Sequence, residues 1–492
     1  MQRSRRGRRA RRHFARAAKA LTNGACAVVM LVGCSPTVMD GHAMSMVYAP
    51  GRVAGLPAAA GPTGPRAGAP PPVGDVVGTD HSDNDRLALL AVNDIQEFWE
   101  NHYLPALPGR FTPVSELISY DSTNPLSPVL CGQRTYNSGP NAFYCPMDDT
   151  LAWDRGLLIP GARQFYGDIA VVAALAHEYG HEVQIRAHLV DGSTAAIVKE
   201  QQADCFAGVY MRWVAEGRSR RFTVSTTDGL DHVLASALWA RDDLSDTPDP
   251  DLEHGSALDR ISAFQMGFEG GAQDCAAIDE NEIAQRRNGL PRLLNEPDPQ
   301  SGDTAVDNDS LSTLIELLGQ IFHPANPPTL TVGGDDSCPG TKPSPPASYC
   351  PSTNTINVDL LALQQLASYK DEKQNSHMLQ GDNTAFSIVT SRYALAVEHE
   401  RGVRLDTEQA ALRTACLTGV AQKDMAQPIK LASGKSLLLS AGDLDEAVSG
   451  LLTNHLVASD TNGTSVPAGF TRISAFRSGL IGDADKCYQV FP

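Results

Sequence analysis

Basic residues are scarce beyond the first 33 positions. Of the 40 Lys and Arg in the chain, nine lie in residues 1–33, where no Asp or Glu occurs. Without that segment the formal net charge moves from −17 to −26. A body so acidic offers no basic surface for nucleic acid or for electrostatic docking on anionic lipid, and both are excluded as partners. Runs that alternate apolar and polar with period two are also few. Any sheet is therefore small, and the expected fold class is mainly α, an α+β arrangement with little strand. The apolar stretch Ala25–Val32 is too short to span a bilayer.

What surrounds that stretch has a meaning of its own. A basic segment, a brief apolar run and then Leu31-Val32-Gly33-Cys34 resemble a bacterial lipoprotein signal, residues 1–33, cleaved at Gly33 with lipid attached to Cys34. A plain secretory signal or an anchor helix is the alternative. Arg11-Arg12-His13-Phe14-Ala15-Arg16 also resembles a twin-arginine export motif, in a region dense with arginine. The expectation is an exported protein, lipid-anchored at the outer face of a bacterial cytoplasmic membrane by acyl chains rather than by a basic patch. Residues 34–85, rich in Ala, Gly and Pro, read as a flexible tether. The 492 residues exceed one ordinary domain. Helical periodicity from Leu87 to Trp99 opens a first domain at 86–294, a polar stretch at 295–310 reads as a linker, and 311–492 form a second domain.

The ten cysteines support this division. Cys26 falls in the signal and Cys34 takes the lipid. The remaining eight repeat in spacing: Cys131/Cys145 and Cys205/Cys275 in one half, Cys338/Cys350 and Cys416/Cys487 in the other. Pairing each couple within its own half is the simplest of three connectivities per half, and each short loop closed this way adds about 3 kcal/mol. Other residues repeat as well. Tyr144-Cys145-Pro146 with Asp154 recurs as Tyr349-Cys350-Pro351 with Asp359, and Gly167-Asp168 as Gly381-Asp382. Arg260-Ile261-Ser262-Ala263-Phe264 recurs as Arg472-Ile473-Ser474-Ala475-Phe476. The chain reads as two copies of a mainly helical unit, with helices over 167–188 and 197–215 in the first.

The copies differ where chemistry is concentrated. Residues 177–181 are His-Glu-Tyr-Gly-His. Two histidines four apart on a helix share one face, so both imidazoles reach one metal ion, and Glu178 between them can act on a metal-bound water. Zinc at a catalytic centre takes three protein ligands and a water. A metzincin would need Gly at 184 and His at 187, where this chain has Gln184 and Ala187. Glu200, on the next helix, supplies the third ligand as in gluzincin-type sites, with Asp204 one turn on to brace a ligand histidine. The reverse assignment, Asp204 as ligand and Glu200 as support, stays open. When the halves are aligned on their shared glycines, cysteines and arginines, His177 falls on Ser391, Glu178 on Arg392 and His181 on Leu395. Glu200 falls on Ala411, Asp204 on Ala415 and His254 on Val466. The second half thus reads as a degenerate copy without a metal site, docked against the first. His254, lost in that copy, is a candidate to stabilise an oxyanion, or else an ordinary loop histidine.

Phe143-Tyr144-Cys145-Pro146, His177-Glu178-Tyr179-Gly180-His181, the run Glu200–Gly208 and His254-Gly255-Ser256-Ala257 together resemble the bacterial neutral zinc metallopeptidase family. The whole is similar to lipoprotein peptidases of actinobacterial envelopes. The resemblance covers roughly 90–280, and 310–492 only as a decayed copy. It implies a zincin-like catalytic domain, Zn2+, and hydrolysis of peptide bonds in a peptide or protein substrate, with His177, His181 and Glu200 as ligands and Glu178 as base. Two rivals remain: a non-catalytic envelope binding or assembly protein with a structural metal, and a zinc amidase acting on cell-wall peptides.

Overall fold

The computed structural model describes the backbone at 37–39 and 42–44 and residues 49–242, 253–287, 290, 304–334, 337–370 and 378–492. The signal segment, Cys34 and positions 295–303 of the linker lie outside the described residues.

Helix α1 (Asp83–Ala106) starts where Ser82 accepts a hydrogen bond from the Asp85 main-chain N–H. Its stripe of Leu87, Leu90, Ala91, Ile95, Phe98 and Trp99 is buried. Strands β1 (Glu116–Tyr120), β2 (Ala142–Cys145) and β3 (Thr150–Asp154) form a three-stranded sheet, with β3 central, parallel to β1 and antiparallel to β2. Helices α2 (Leu158–Tyr166), α3 (Asp168–Arg186), α4 (Ala196–Ala215), α5 (Asp228–Trp239), α6 (Ala257–Gly270), α7 (Ala272–Ala276) and α8 (Glu280–Arg287) follow.

The same order returns in α9 (Asn308–Phe322), β4 (Thr329–Val332), β5 (Ala347–Cys350), β6 (Thr355–Val358), α10 (Leu360–Ala367), α11 (Asp382–Glu400), α12 (Glu408–Met425), α13 (Ala441–Thr453), α14 (Gly469–Leu480) and α15 (Ala484–Val490). In this second sheet β6 is central, parallel to β4 and antiparallel to β5. The chain is mainly helical with small sheets, as its patterning predicts. The cysteines pair as Cys131–Cys145, Cys205–Cys275, Cys338–Cys350 and Cys416–Cys487.

Close helix crossings explain two glycines. A Cβ on Gly208 in α4 would lie 2.1 Å from the Phe264 carbonyl oxygen of α6, and one on Gly419 in α12 would lie 2.1 Å from that of Phe476 in α14. Each half therefore packs its central helix pair backbone to backbone.

The tether expectation needs correction. Residues 49–82 lie on the first half rather than free in solvent. Gly64–Pro65 pairs antiparallel with Phe222–Thr223. Arg66 Nε donates to the carbonyls of Ser219 and Phe222, both at 2.9 Å, and Asn93 exchanges hydrogen bonds with the Val73 main chain. Composition misled here because Pro and Gly suit an extended edge segment as well as a loose one.

Residues 37–492 make one compact unit. Between its halves, Arg472 Nη2 lies 2.9 Å from Asp231 Oδ2, and the Gly469 N–H donates to Asp231 Oδ1 at 2.8 Å. Gln265 Nε2 donates to the Phe470 carbonyl and to Ser474 Oγ. Phe268 and Phe470 rings meet at 5.0 Å.

Candidate metal centre

Helix α3 carries His177, Glu178 and His181; α4 carries Glu200 and Asp204. The two helices approach closely because position 180 is glycine: a Cβ there would lie 2.8 Å from Ala203 Cα. At that range the imidazoles of α3 meet the carboxylates of α4. His177 Nε2 stands 3.1 Å from Glu200 Oε2, and His181 Nε2 stands 3.5 Å from Glu200 Oε1. Bonds of about 2.0–2.2 Å to a tetrahedral zinc put ligand atoms roughly 3.4 Å apart, close to both of these separations. Glu178 joins the group: it, His177 and His181 each offer a ligand atom within 4.8 Å of the others.

The remaining ring nitrogens fix which atoms face a metal. His177 Nδ1 is 2.7 Å from Asp204 Oδ1. A carboxylate only accepts, so Nδ1 carries a proton, and Nε2, hydrogen-bonded to Glu200, is the nitrogen that a metal would take in place of its own proton. Gln184 Nε2 donates to the Lys199 carbonyl, which turns its Oε1 toward His181 Nδ1 at 3.1 Å and gives His181 the same tautomer. Asp204 is held in turn by Arg260, whose Nε and Nη2 donate at 3.0 and 2.8 Å.

Electrostatics favour a cation here. Three carboxylates, Glu178, Glu200 and Asp204, face one arginine. Burial alone would lower the His177 pKa, but the charge and hydrogen bond of Asp204 and the hydrogen bond to Glu200 outweigh it and raise the value to about 10. Burial likewise pushes the Glu178 carboxyl up, whereas Glu200 is held low, with the neighbouring imidazoles overcoming its burial. A donor set of imidazole nitrogens and a carboxylate among further carboxylates suits zinc, which would take the place of the proton on Nε2.

His177, Glu178 and Asp204 line a cleft of about 910 Å³, walled by Leu158 and Phe165 of α2 and by Val233 and Trp239 of α5. His254 lines the same cleft. Its Nδ1 is 3.1 Å from Asp242 Oδ1, and Asp242 also accepts from the main-chain N–H of His254 and Gly255. That hydrogen bond raises the His254 pKa, against its partial burial and with help from the charge on Glu200.

A family model described as "Putative neutral zinc metallopeptidase" matches residues 73–278. Residues 73–278 are similar to that family. No curated protein and no solved structure matches the chain. The metallopeptidase match takes in α1 through α7, hence every residue of the candidate centre, and starts within the segment that lies on the body before α1.

The structure brings together His177, Glu178, His181, Glu200 and Asp204, and sets His254 on the same cleft. Sequence reading missed Arg260, Gln184 and Asp242 as members of the candidate centre. Arg260 was visible only as part of a repeated run, which marked it as scaffold. The residues at the second half's corresponding positions are built otherwise. Ser391 donates to the Ile388 carbonyl, Arg392 donates to Leu456 O and Ser459 Oγ, and Leu395 and Ala411 are fully buried.

The ligand assignment is testable. Because Asp204 is engaged by His177 Nδ1 and by Arg260, removing Glu200 should empty the site. Glu200→Ala is expected to lose zinc on dialysis, while Asp204→Ala keeps it with affinity weakened about 10–100-fold. Metal retained in Glu200→Ala and released from Asp204→Ala would invert the assignment.

Proposed function

We propose that the protein is a zinc-dependent peptidase of the bacterial cell envelope, exported and tethered to the membrane by lipid on Cys34. The observation that supports the peptidase reading most is the convergence of the His177 and His181 Nε2 atoms on the Glu200 carboxylate, with Glu178 beside them and His177 and Glu178 lining a cleft wide enough for a peptide. Zinc held by His177, His181 and Glu200 supplies Lewis-acid polarisation of a carbonyl and acidifies water. Glu178 takes the proton of the attacking water and returns it to the leaving amide nitrogen. His254, oriented by Asp242, donates to the carbonyl oxygen as that oxygen gains charge. Asp204 and Gln184 keep both ligand imidazoles in the tautomer that leaves Nε2 free.

The deciding experiment is hydrolysis of a generic peptide mixture by the purified chain before and after chelation, with zinc restored afterwards. Turnover that follows the metal supports the proposal. Turnover confined to peptidoglycan fragments would make it a cell-wall amidase. Zinc without turnover on either substrate would make it a binding or assembly protein with a structural ion.

Residues 311–492 we read as a degenerate copy of the catalytic unit. Support comes from the repeated element order, the matching sheet registers and disulfides, and the loss of every candidate ligand. Elemental analysis should find a single zinc per chain; a second equivalent would sink this reading. For the anchor, Cys34→Ser should move the protein from the detergent phase to the aqueous phase in a phase-partition assay. Persistence in detergent would remove the lipid proposal.

A further inference from the structure

The cleft beside the candidate centre is apolar wherever it is not part of that centre. Leu157, just before α2, and Leu158 and Phe165 within it line the cleft together with Trp239 of α5. Leu157 is 43 % exposed and Phe165 44 %, large apolar surfaces left in water. Trp239 is half-buried, whereas Trp99, Trp153 and Trp213 are buried. Helix α3 contributes Ala170, Ala173 and Ala174, which by helical spacing share the face that carries His177. Their methyl groups leave the volume open. Ala170 stands seven residues before His177, roughly 10 Å along the axis, so the apolar lining continues up to the reacting groups.

Charge in the cleft is already engaged. Arg260 pairs with Asp204 at 2.8 Å, Arg241 lies 3.6 Å from Asp445, and Asp242 lies 3.1 Å from His254. Glu178 belongs to the centre itself. A charged side chain entering from a substrate would lose its hydration there and find the lining groups occupied by one another. An apolar one gains instead, since it leaves water and takes Leu157, Phe165 and Trp239 with it. The chain as a whole pulls the other way. Without its first 33 residues it carries a net charge of −26, a field that draws cationic peptides toward it at long range. That field acts on encounter, while the lining decides what stays bound.

We propose that the cleft selects peptides with a large apolar side chain near the bond that is cut, held against Phe165 and Trp239, in preference to basic or acidic ones. The choice of a peptide as the ligand rests on the peptidase reading above; the choice of side chain rests on the lining alone.

Binding is read without turnover, on the full chain carrying Glu178→Gln. The probes are three hexa-alanine peptides, blocked at both ends, whose central pair is replaced by leucine, lysine or glutamate. Affinity is measured by calorimetry and the environment of Trp239 by tryptophan emission. The leucine peptide should bind at least about tenfold more tightly than either charged one and shift the emission to the blue. Adding Trp239→Phe should remove the shift. Adding Phe165→Ala, at a side chain exposed enough to replace without unfolding the chain, should weaken the leucine peptide about fivefold or more and leave zinc content unchanged. Equal affinity for the three peptides, or tighter binding of lysine, would overturn the proposal and leave the hydrolysis assay of the unmodified chain as the separate judge of the peptidase reading. Leucine preference with no shift and no loss in Phe165→Ala would also overturn it, since the apolar side chain would then sit elsewhere. Leucine preference through both residues in a chain that hydrolyses nothing would uphold the proposal and remove the peptidase.

Discussion

Glu178→Gln should leave zinc fully bound while peptide hydrolysis falls by about 10²–10⁴-fold, the range general base catalysis supplies. The amide is isosteric with the carboxylate, so the packing of α3 against α4 is untouched, and His177, His181 and Glu200 keep their positions. What is lost is the proton acceptor. Burial holds the Glu178 carboxyl above its ordinary range, which brings its basicity nearer to neutral pH and suits it to take and return a proton there. Zinc content by elemental analysis and turnover on one peptide pool, measured on the same preparation, make the test. Turnover within tenfold of the parent would remove Glu178 from the mechanism. Simultaneous loss of zinc would instead assign it to holding the metal.

Much of this centre could be read from sequence because its parts obey helical spacing. His177 and His181 fall on one face by the 3.6-residue repeat, and Glu200 and Asp204 are one turn apart on the next helix. The disulfides were legible because Cys131/Cys145 and Cys205/Cys275 recur with nearly the same separations in the second half. Residues that act across elements were not legible. Arg260 reaches Asp204 from α6, and Asp242 reaches His254 from the end of α5; no local period links either pair. The arginine shows the limit well. Arg260 and Arg472 occupy equivalent places in the repeated run, yet one braces a ligand's partner while the other crosses between the halves to Asp231. Repetition in sequence showed that both are kept, and only the fold showed that they grip different carboxylates. The 49–82 segment failed for the opposite reason, since a Pro- and Gly-rich strip carries no periodicity to show that it lies on a surface.

Arg472→Met should destabilise the chain by about 3–5 kcal/mol, because it leaves Asp231 buried without its counter-charge. Both side chains are almost fully removed from solvent. Arg472 also donates to the carbonyls of Leu451 and Val466, which lose their donor in the same step. Even with arginine present, burial outweighs the guanidinium and holds the Asp231 carboxyl up at about 6. Without it that value rises further above the roughly 3.9 of an unfolded aspartate. A carboxyl with a raised folded-state pKa penalises the fold fully above that pKa, and the penalty disappears as the pH falls and the group protonates. Urea denaturation should therefore show the deficit at pH 8 and a smaller one at pH 5. A deficit equal at both values would mean that the unpaired charge is not its source. Asp231→Leu combined with Arg472→Met should recover most of the loss, since an apolar pair of similar volume removes both charges together. The effect reaches the cleft as well. Asp231 lies in the first turn of α5, whose Val233 and Trp239 wall the substrate side, and Arg241 just beyond that helix lies 3.6 Å from Asp445 of α13. Both ends of α5 are thus tied to the half that carries no zinc ligands. Arg472→Met should lower kcat/KM for peptides at temperatures where the chain is still folded, with zinc content unchanged. Unaltered kcat/KM in a folded, destabilised variant would confine the second half to a purely stabilising role.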